Sequence, residues 1–93
     1  MIPTERICLF DGHCDTISRC LEQGGSFRRN AGHLDLERTA VFGPYAQFFA
    51  IFGDAATQPG LPLRQLFQKE YAIFQREMAA NSGLAVHCRT AEE

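Results

Sequence analysis

The sequence predicts an α/β fold in which parallel strands alternate with helices. Short apolar runs at residues 7–10, 45–52 and 84–88 have the length and composition of buried strands. A longer stretch at residues 62–81 carries apolar residues at helical spacing and separates the second run from the third. Because strands that alternate with helices are joined by right-handed crossovers, they form a parallel sheet. The sequence therefore predicts a parallel βαβαβ unit.

The first strand, residues 6–10, leads into a pair of polar side chains. Asp11-Gly12 is typical of a turn or strand end, and His13 and Asp15 follow it two residues apart. In an extended chain, side chains at this spacing point to the same face. An imidazole nitrogen and a carboxylate oxygen are ligands for zinc and other first-row metals. We therefore predict His13 and Asp15 as metal ligands, the alternative being a solvated strand end.

A short helix is predicted directly after this pair. Apolar residues recur at helical spacing between residues 17 and 21, and Gly24-Gly25 ends the helix. Asp15 or Thr16 can accept hydrogen bonds from the free backbone N–H groups at its start. Since a metal ligand is not free to cap, Thr16 is the predicted cap.

A second His-x-Asp pair, His33 and Asp35, is the weaker metal candidate. It does not follow an apolar strand, so nothing places its two side chains on one face. Asp35 is instead predicted to cap a short helix that runs through Ala40 and ends at Gly43-Pro44.

The second strand, residues 45–52, is a nearly continuous apolar run rich in aromatic residues. Such a run suits a strand that is covered on both faces. Gln47 is its polar exception and is predicted to lie at the strand end or to face the site, the alternative being that it pairs with a neighbouring loop. After a loop at residues 53–60, Pro62 occupies the first turn of the long helix, which residues 81–83 end.

The apolar stripe of this helix is predicted to pack in the core; it comprises Leu63, Leu66, Phe67, Phe74 and Met78. The third strand, residues 84–88, carries His87 near its end. A strand-end histidine is usually a hydrogen-bonded structural residue, although a functional role is also compatible with this position. Thr90 and Glu93 match a capping box, which predicts the start of another helix.

Length and composition restrict the partners of the chain. Its 93 residues allow one domain, and a net charge of −2 gives no basic surface for nucleic acid. No apolar stretch is long enough for a signal peptide or a membrane span, so we expect a cytoplasmic protein without a membrane partner. The four cysteines lack a Cys-x-x-Cys pair and are predicted to be reduced thiols. Open sheet edges make self-association a further expectation.

Residues 10–15, Phe-Asp-Gly-His-Cys-Asp, resemble the opening motif of the membrane (renal-type) dipeptidase family of zinc peptidases. Members of that family begin with an apolar strand followed by Asp-Gly-His-x-Asp. The likeness continues at residues 32–36, which resemble the family's linker, and at residues 46–52, which resemble its second strand. It covers nearly all of this chain but only about the first quarter to third of a full-length member.

The resemblance implies that residues 1–93 are a single partial domain, the opening part of a (β/α)₈ TIM-type barrel. Such a barrel would carry two zinc ions at the carboxyl ends of its strands. His13 and Asp15 would be ligands of the first zinc, while a later glutamate and two later histidines would complete the site. The implied reaction is hydrolysis of dipeptides by a metal-activated water. Because catalytic zinc normally has three protein ligands, the chain alone is expected to be inactive.

Two other functions are compatible with the same residues. One is a small non-catalytic α/β interaction module, dimeric through its sheet edges. The other is a mononuclear metal protein that uses His13 and Asp15 together with His87 or Cys14.

Overall fold

The computed structural model describes residues 2–53, 60 and 62–93. In chain order its elements are a 3₁₀ turn (Thr4–Arg6), β1 (Leu9–Asp11), α1 (Thr16–Gln23), α2 (Leu36–Thr39), β2 (Tyr45–Gln47) and α3 (Leu63–Ala80). The two strands are parallel, with Asp11 opposite Gln47. The predicted α/β class and the parallel pairing are thereby confirmed.

The first strand begins later than predicted. The backbone N–H groups of Arg6 and Ile7 bond back to the carbonyls of Pro3 and Thr4, so these residues form a 3₁₀ turn instead of a strand. Pairing with the second strand starts where Gly43 N–H donates to the Ile7 carbonyl at 3.0 Å.

Gly43 is required at this approach because the two backbones pass too closely for a side chain. A Cβ atom built there would lie 2.7 Å from the Glu5 carbonyl oxygen.

The second strand is shorter than the predicted residues 45–52, because β1 turns away at Gly12. Two further hydrogen bonds continue past the ladder: Phe48 N–H donates to the Asp11 carbonyl and Ala50 N–H to the Cys14 carbonyl, each at 3.0 Å. Residues 48–50 therefore run beside the turn that carries His13, although they are not part of a regular strand.

α1 ends as predicted but begins differently. Gly24 has a φ of +76°, and its N–H donates to the Cys20 carbonyl at 2.9 Å. The predicted cap at Thr16 is wrong, because Thr16 is the first helical residue and Asp15 occupies the cap position. The Asp15 carboxylate makes no capping bond, since it contacts His13 instead.

The core lies between α1, α3 and the segment that follows β2. Phe27 is almost completely buried and stacks on Phe49 with ring centroids 4.8 Å apart. Its other buried members are Ile17, Cys20 and Ile73. Burial of these side chains from α1, α3 and the intervening loop is what joins the two helices.

The buried face of α3 differs from the predicted stripe. Leu66, Glu70, Ile73 and Glu77 are buried at spacings of four, three and four, whereas Leu63 and Phe67 are exposed. Two of the four inward positions are glutamates, which hydropathy assigns to the solvent side. The prediction that Leu63 and Phe67 pack in the core is therefore wrong, while Leu66 is buried as predicted.

The predicted third strand is absent from residues 84–88, which the structure describes without strand pairing. After α3 the N–H groups of Leu84 and Ala85 both bond to the Asn81 carbonyl, at 2.8 and 3.1 Å. These turn bonds take the donors that a strand would need. The described part of the chain therefore forms a βαβ unit with α3 packed on it, and not three strands.

The last four residues form a turn that differs in detail from the predicted capping box. Glu93 accepts a hydrogen bond from the Arg89 N–H at 2.8 Å, one residue before the predicted partner Thr90. None of the helices described in the structure has the length and apolar character needed to cross a membrane.

One face of the two-stranded sheet is open and aromatic. Phe10 and Phe48 lie edge to face with ring centroids 5.2 Å apart, and they are 65% and 62% exposed. Each strand has one hydrogen-bonded neighbour, so within the described residues both outer edges of the sheet are unpaired.

Candidate metal centre

The two predicted ligands lie together at the carboxyl end of β1. His13 Nε2 is 2.7 Å from Asp15 Oδ1. The side chains are 68% and 50% exposed, so solvent reaches both. The structure thus brings together the imidazole and carboxylate that the i, i+2 spacing places on one face, and their role as metal ligands stays a prediction.

The Asp15 carboxylate determines which imidazole nitrogen donates in this contact. An ionised carboxylate can only accept, so His13 Nε2 is the donor in this hydrogen bond. A metal ion held by the two side chains would take the place of this hydrogen bond, because metal ligands bind in their deprotonated forms. The affinity of the pair for a metal should consequently fall in acid.

The donor set fits part of a zinc site. Both side chains are reached by solvent, so a metal ion has access to them. His13 and Asp15 can supply two of the three protein ligands that a catalytic zinc normally has.

A hydrogen-bonded chain of side chains lies directly behind the pair. Gln47 Nε2 donates to Asp11 Oδ2 at 2.8 Å, and the Tyr45 hydroxyl donates to Gln47 Oε1 at 2.5 Å. The other oxygen of the Asp11 carboxylate accepts from the His13 backbone N–H over 3.5 Å. Gln47 therefore lies at the strand end as predicted. The hydrogen bonds that Asp11 and Tyr45 make with it were not predicted.

Cys14 does not complete a three-ligand site with His13 and Asp15 within the described residues. Burial raises the pKa of its thiol; hydrogen bonding to Thr16 opposes the rise and the negative charges of Asp11 and Asp15 add to it. Burial, together with the negative charge of Asp11, also raises the pKa of Tyr45, which keeps its hydroxyl as a donor.

The mononuclear site with His87 is not assembled either. The His87 ring packs edge-on against Phe74, with ring centroids 5.0 Å apart. Across residues 2–53, 60 and 62–93, no three His, Cys, Asp or Glu side chains are close enough to hold one metal ion. The described chain therefore offers a two-ligand pair, beside which the Phe52 ring lies 6.5 Å from that of His13.

The second His-x-Asp pair has a structural role. The Asp35 carboxylate is buried and accepts from the backbone N–H groups of Arg38, at 2.9 Å, and Asn30, at 3.2 Å. Burial alone raises the pKa of Asp35, but these bonds and the Arg38 guanidinium outweigh it and hold the pKa below its usual range. Because this carboxylate caps α2 as predicted, it is not available to a metal beside the exposed His33.

No protein family, curated protein or solved structure was found to match this chain. The dipeptidase resemblance therefore rests on the sequence likeness alone, chiefly on the motifs at residues 10–15, 32–36 and 46–52. It stays a prediction, and so do the barrel, the zinc ions and the dipeptide substrate that it implies.

Proposed function

We propose that this chain is the amino-terminal part of a zinc-dependent dipeptidase-like hydrolase built on a (β/α)₈ barrel. The observation that supports this best is the 2.7 Å approach of His13 Nε2 to Asp15 Oδ1. The pair lies at the carboxyl end of a parallel strand, where α/β enzymes and barrels place their chemistry. The order of the Asp-Gly-His-x-Asp motif and the Gln-Phe-Phe strand adds the resemblance to the dipeptidase family.

Within this proposal the chain contributes one side of a metal site. The imidazole of His13 and the carboxylate of Asp15, which lie 2.7 Å apart, would hold a zinc ion. Bound zinc supplies Lewis acidity and an activated water for cleavage of a peptide bond. Since two ligands are fewer than a catalytic zinc requires, the 93 residues alone should not hydrolyse dipeptides.

Zinc titration of the chain, followed by NMR of the imidazole nitrogens, tests the pair directly. We expect the His13 signals to shift first, and we expect His13→Ala to weaken zinc binding by at least about 10-fold. His33→Ala is the matched control, because His33 is also exposed and also precedes an aspartate by two residues. It should leave zinc binding unchanged. Equal zinc affinity in the His13→Ala variant and the parent chain would remove the pair from the proposal.

The hydrolase itself is tested on the protein encoded by the whole reading frame. That protein should hydrolyse dipeptides when zinc is supplied and lose this activity with His13→Ala, but not with His33→Ala. A reading frame without a further strand that carries a glutamate ligand would contradict the proposal.

A non-catalytic interaction module is the second candidate, and the exposed rings of Phe10 and Phe48 favour it. Adjacent aromatic side chains on an open sheet face are typical of a surface that another protein covers. If zinc leaves the imidazole signals unmoved, this candidate becomes the better explanation of the fold.

A further inference from the structure

We propose that Gln47 is a positioning residue for the metal pair: it holds Asp11, and Asp11 holds the turn that carries His13. This inference rests on the proposed function, which makes His13 a ligand. Gln47 stands opposite Asp11 in the parallel ladder, and its Nε2 donates to Asp11 Oδ2 at 2.8 Å. The contact joins β2 to the end of β1 at the residue from which the metal-binding turn begins.

The side-chain amide of Gln47 is fixed in one orientation. The Tyr45 hydroxyl donates to Oε1, so the NH₂ group must face Asp11. The same nitrogen also donates to the Phe48 carbonyl at 3.0 Å. Because both its oxygen and its nitrogen are hydrogen-bonded, the amide is held in place as a donor toward the Asp11 carboxylate. The raised pKa of Tyr45 keeps its hydroxyl protonated, so it remains the donor to Oε1.

The Asp11 carboxylate transmits this constraint to the turn. One oxygen accepts from Gln47 Nε2 at 2.8 Å, and the other accepts a longer and weaker bond of 3.5 Å from the His13 backbone N–H across Gly12. Packing around Gly12 does not hold the turn in the same way, because apart from its chain neighbours no described atom lies within 4 Å of a Cβ built there. His13 itself is mostly exposed. The Asp11 side chain and the adjacent backbone hydrogen bonds therefore position the backbone of the turn, while the 2.7 Å contact with Asp15 orients the imidazole.

Loss of this support should weaken metal binding without unfolding the chain. Removal of hydrogen-bonding partners around metal ligands typically lowers metal affinity by about 10- to 100-fold. Gln47 acts through Asp11 and a backbone N–H, not through the ligand side chain, so we expect the lower end of this range. The structural change should be confined to residues near the turn, because the buried core residues lie on α1, on α3 and at Phe27.

A polarity swap between residues 11 and 47 tests the inference. Gln47→Glu places two carboxylates opposite each other and should weaken zinc binding by about 10-fold. Adding Asp11→Asn restores an N–H···O bond of reversed direction, while the remaining amide oxygen can still accept from the His13 N–H. The double variant should recover most of the lost zinc affinity, because, among the Gln47 contacts, only the bond to the Phe48 carbonyl stays absent. Gln75→Glu, an exposed change on α3, controls for the added negative charge.

The readouts are zinc affinity from the imidazole NMR titration and the hydrogen-exchange rate of the His13 backbone amide. The inference predicts faster exchange in Gln47→Glu and recovery in the double variant, with or without zinc. If His13→Ala weakens zinc binding but Gln47→Glu changes neither readout, the positioning role is wrong and the proposed function stands. If His13→Ala has no effect on zinc, the proposed function fails, and the exchange rates alone decide whether Gln47 positions the turn.

Discussion

Phe27→Ala should destabilise the fold by about 3–5 kcal/mol, which is the usual loss for a buried phenylalanine. The Phe27 ring is almost completely buried, stacked on Phe49 and 6.2 Å from the ring centroid of Phe74. A cavity there would remove contacts with the segment after β2 and with α3 simultaneously. For a domain of this size, whose total stability is about 5–15 kcal/mol, this is a large fraction.

Urea denaturation followed by circular dichroism measures the effect of Phe27→Ala. The matched control is Phe48→Ala, because Phe48 is the same residue type but is mostly exposed. It should change the free energy of unfolding by less than about 1 kcal/mol. Comparable losses in the two variants would show that Phe27 does not occupy the core described here.

Glu70→Leu should stabilise the fold at neutral pH by about 1–3 kcal/mol. The Glu70 side chain is fully buried on α3, and neither carboxylate oxygen has a hydrogen-bond partner in the described part of the chain. Burial raises the pKa of Glu70, and the nearby charge of Glu22 on α1 adds to the rise. Leucine has a similar volume and removes the polar group that the core leaves unpaired.

The gain from Glu70→Leu should depend on pH. In the unfolded chain this carboxyl loses its proton near the ordinary value of 4.5, whereas the folded chain retains the proton to higher pH. The unfolded state therefore binds fewer protons in this window, and the stability of the parent chain falls as pH rises through the folded pKa. In denaturation experiments, Glu70→Leu should raise the free energy of unfolding only slightly at pH 4 and by more at neutral pH. Glu92→Leu, at an exposed position, is the control; a gain that does not change with pH would contradict this account.

The elements that were predicted correctly are those whose signals are local in the sequence. Gly24 ends α1 and Asp35 caps α2, and each acts on backbone groups within a few residues. Pro62, predicted in the first turn of α3, lies one residue earlier, at the cap position before Leu63. The strand predicted at residues 84–88 failed because a strand depends on a neighbour, and turn bonds to Asn81 took its donors instead. Apolar composition alone does not tell whether residues 84–88 form a paired strand or an irregular segment.

In the candidate site, too, local features were predicted and long-range contacts were missed. His13 and Asp15 lie together as predicted from their spacing, although Asp15 is not in extended backbone (φ −98°, ψ 17°) and a side-chain hydrogen bond makes the contact. The Asp11–Gln47 contact depends on the register between two strands whose contacting residues are 36 positions apart, and no local pattern reports that register. Glu70 and Glu77 were also missed, since burial of a glutamate depends on which neighbours cover it and not on its own hydropathy.

The contacts that join this fold also bear on how quickly it forms. Gln47 reaches Asp11 across 36 residues, and Glu77 accepts the Phe27 N–H across 50. Chains that must close such long loops before their contacts form fold more slowly than chains with local contacts. We therefore expect helical signal to appear early in stopped-flow refolding, with protection of the His13 amide in a later phase. The turn that carries the metal pair would then be among the last parts of the molecule to become ordered.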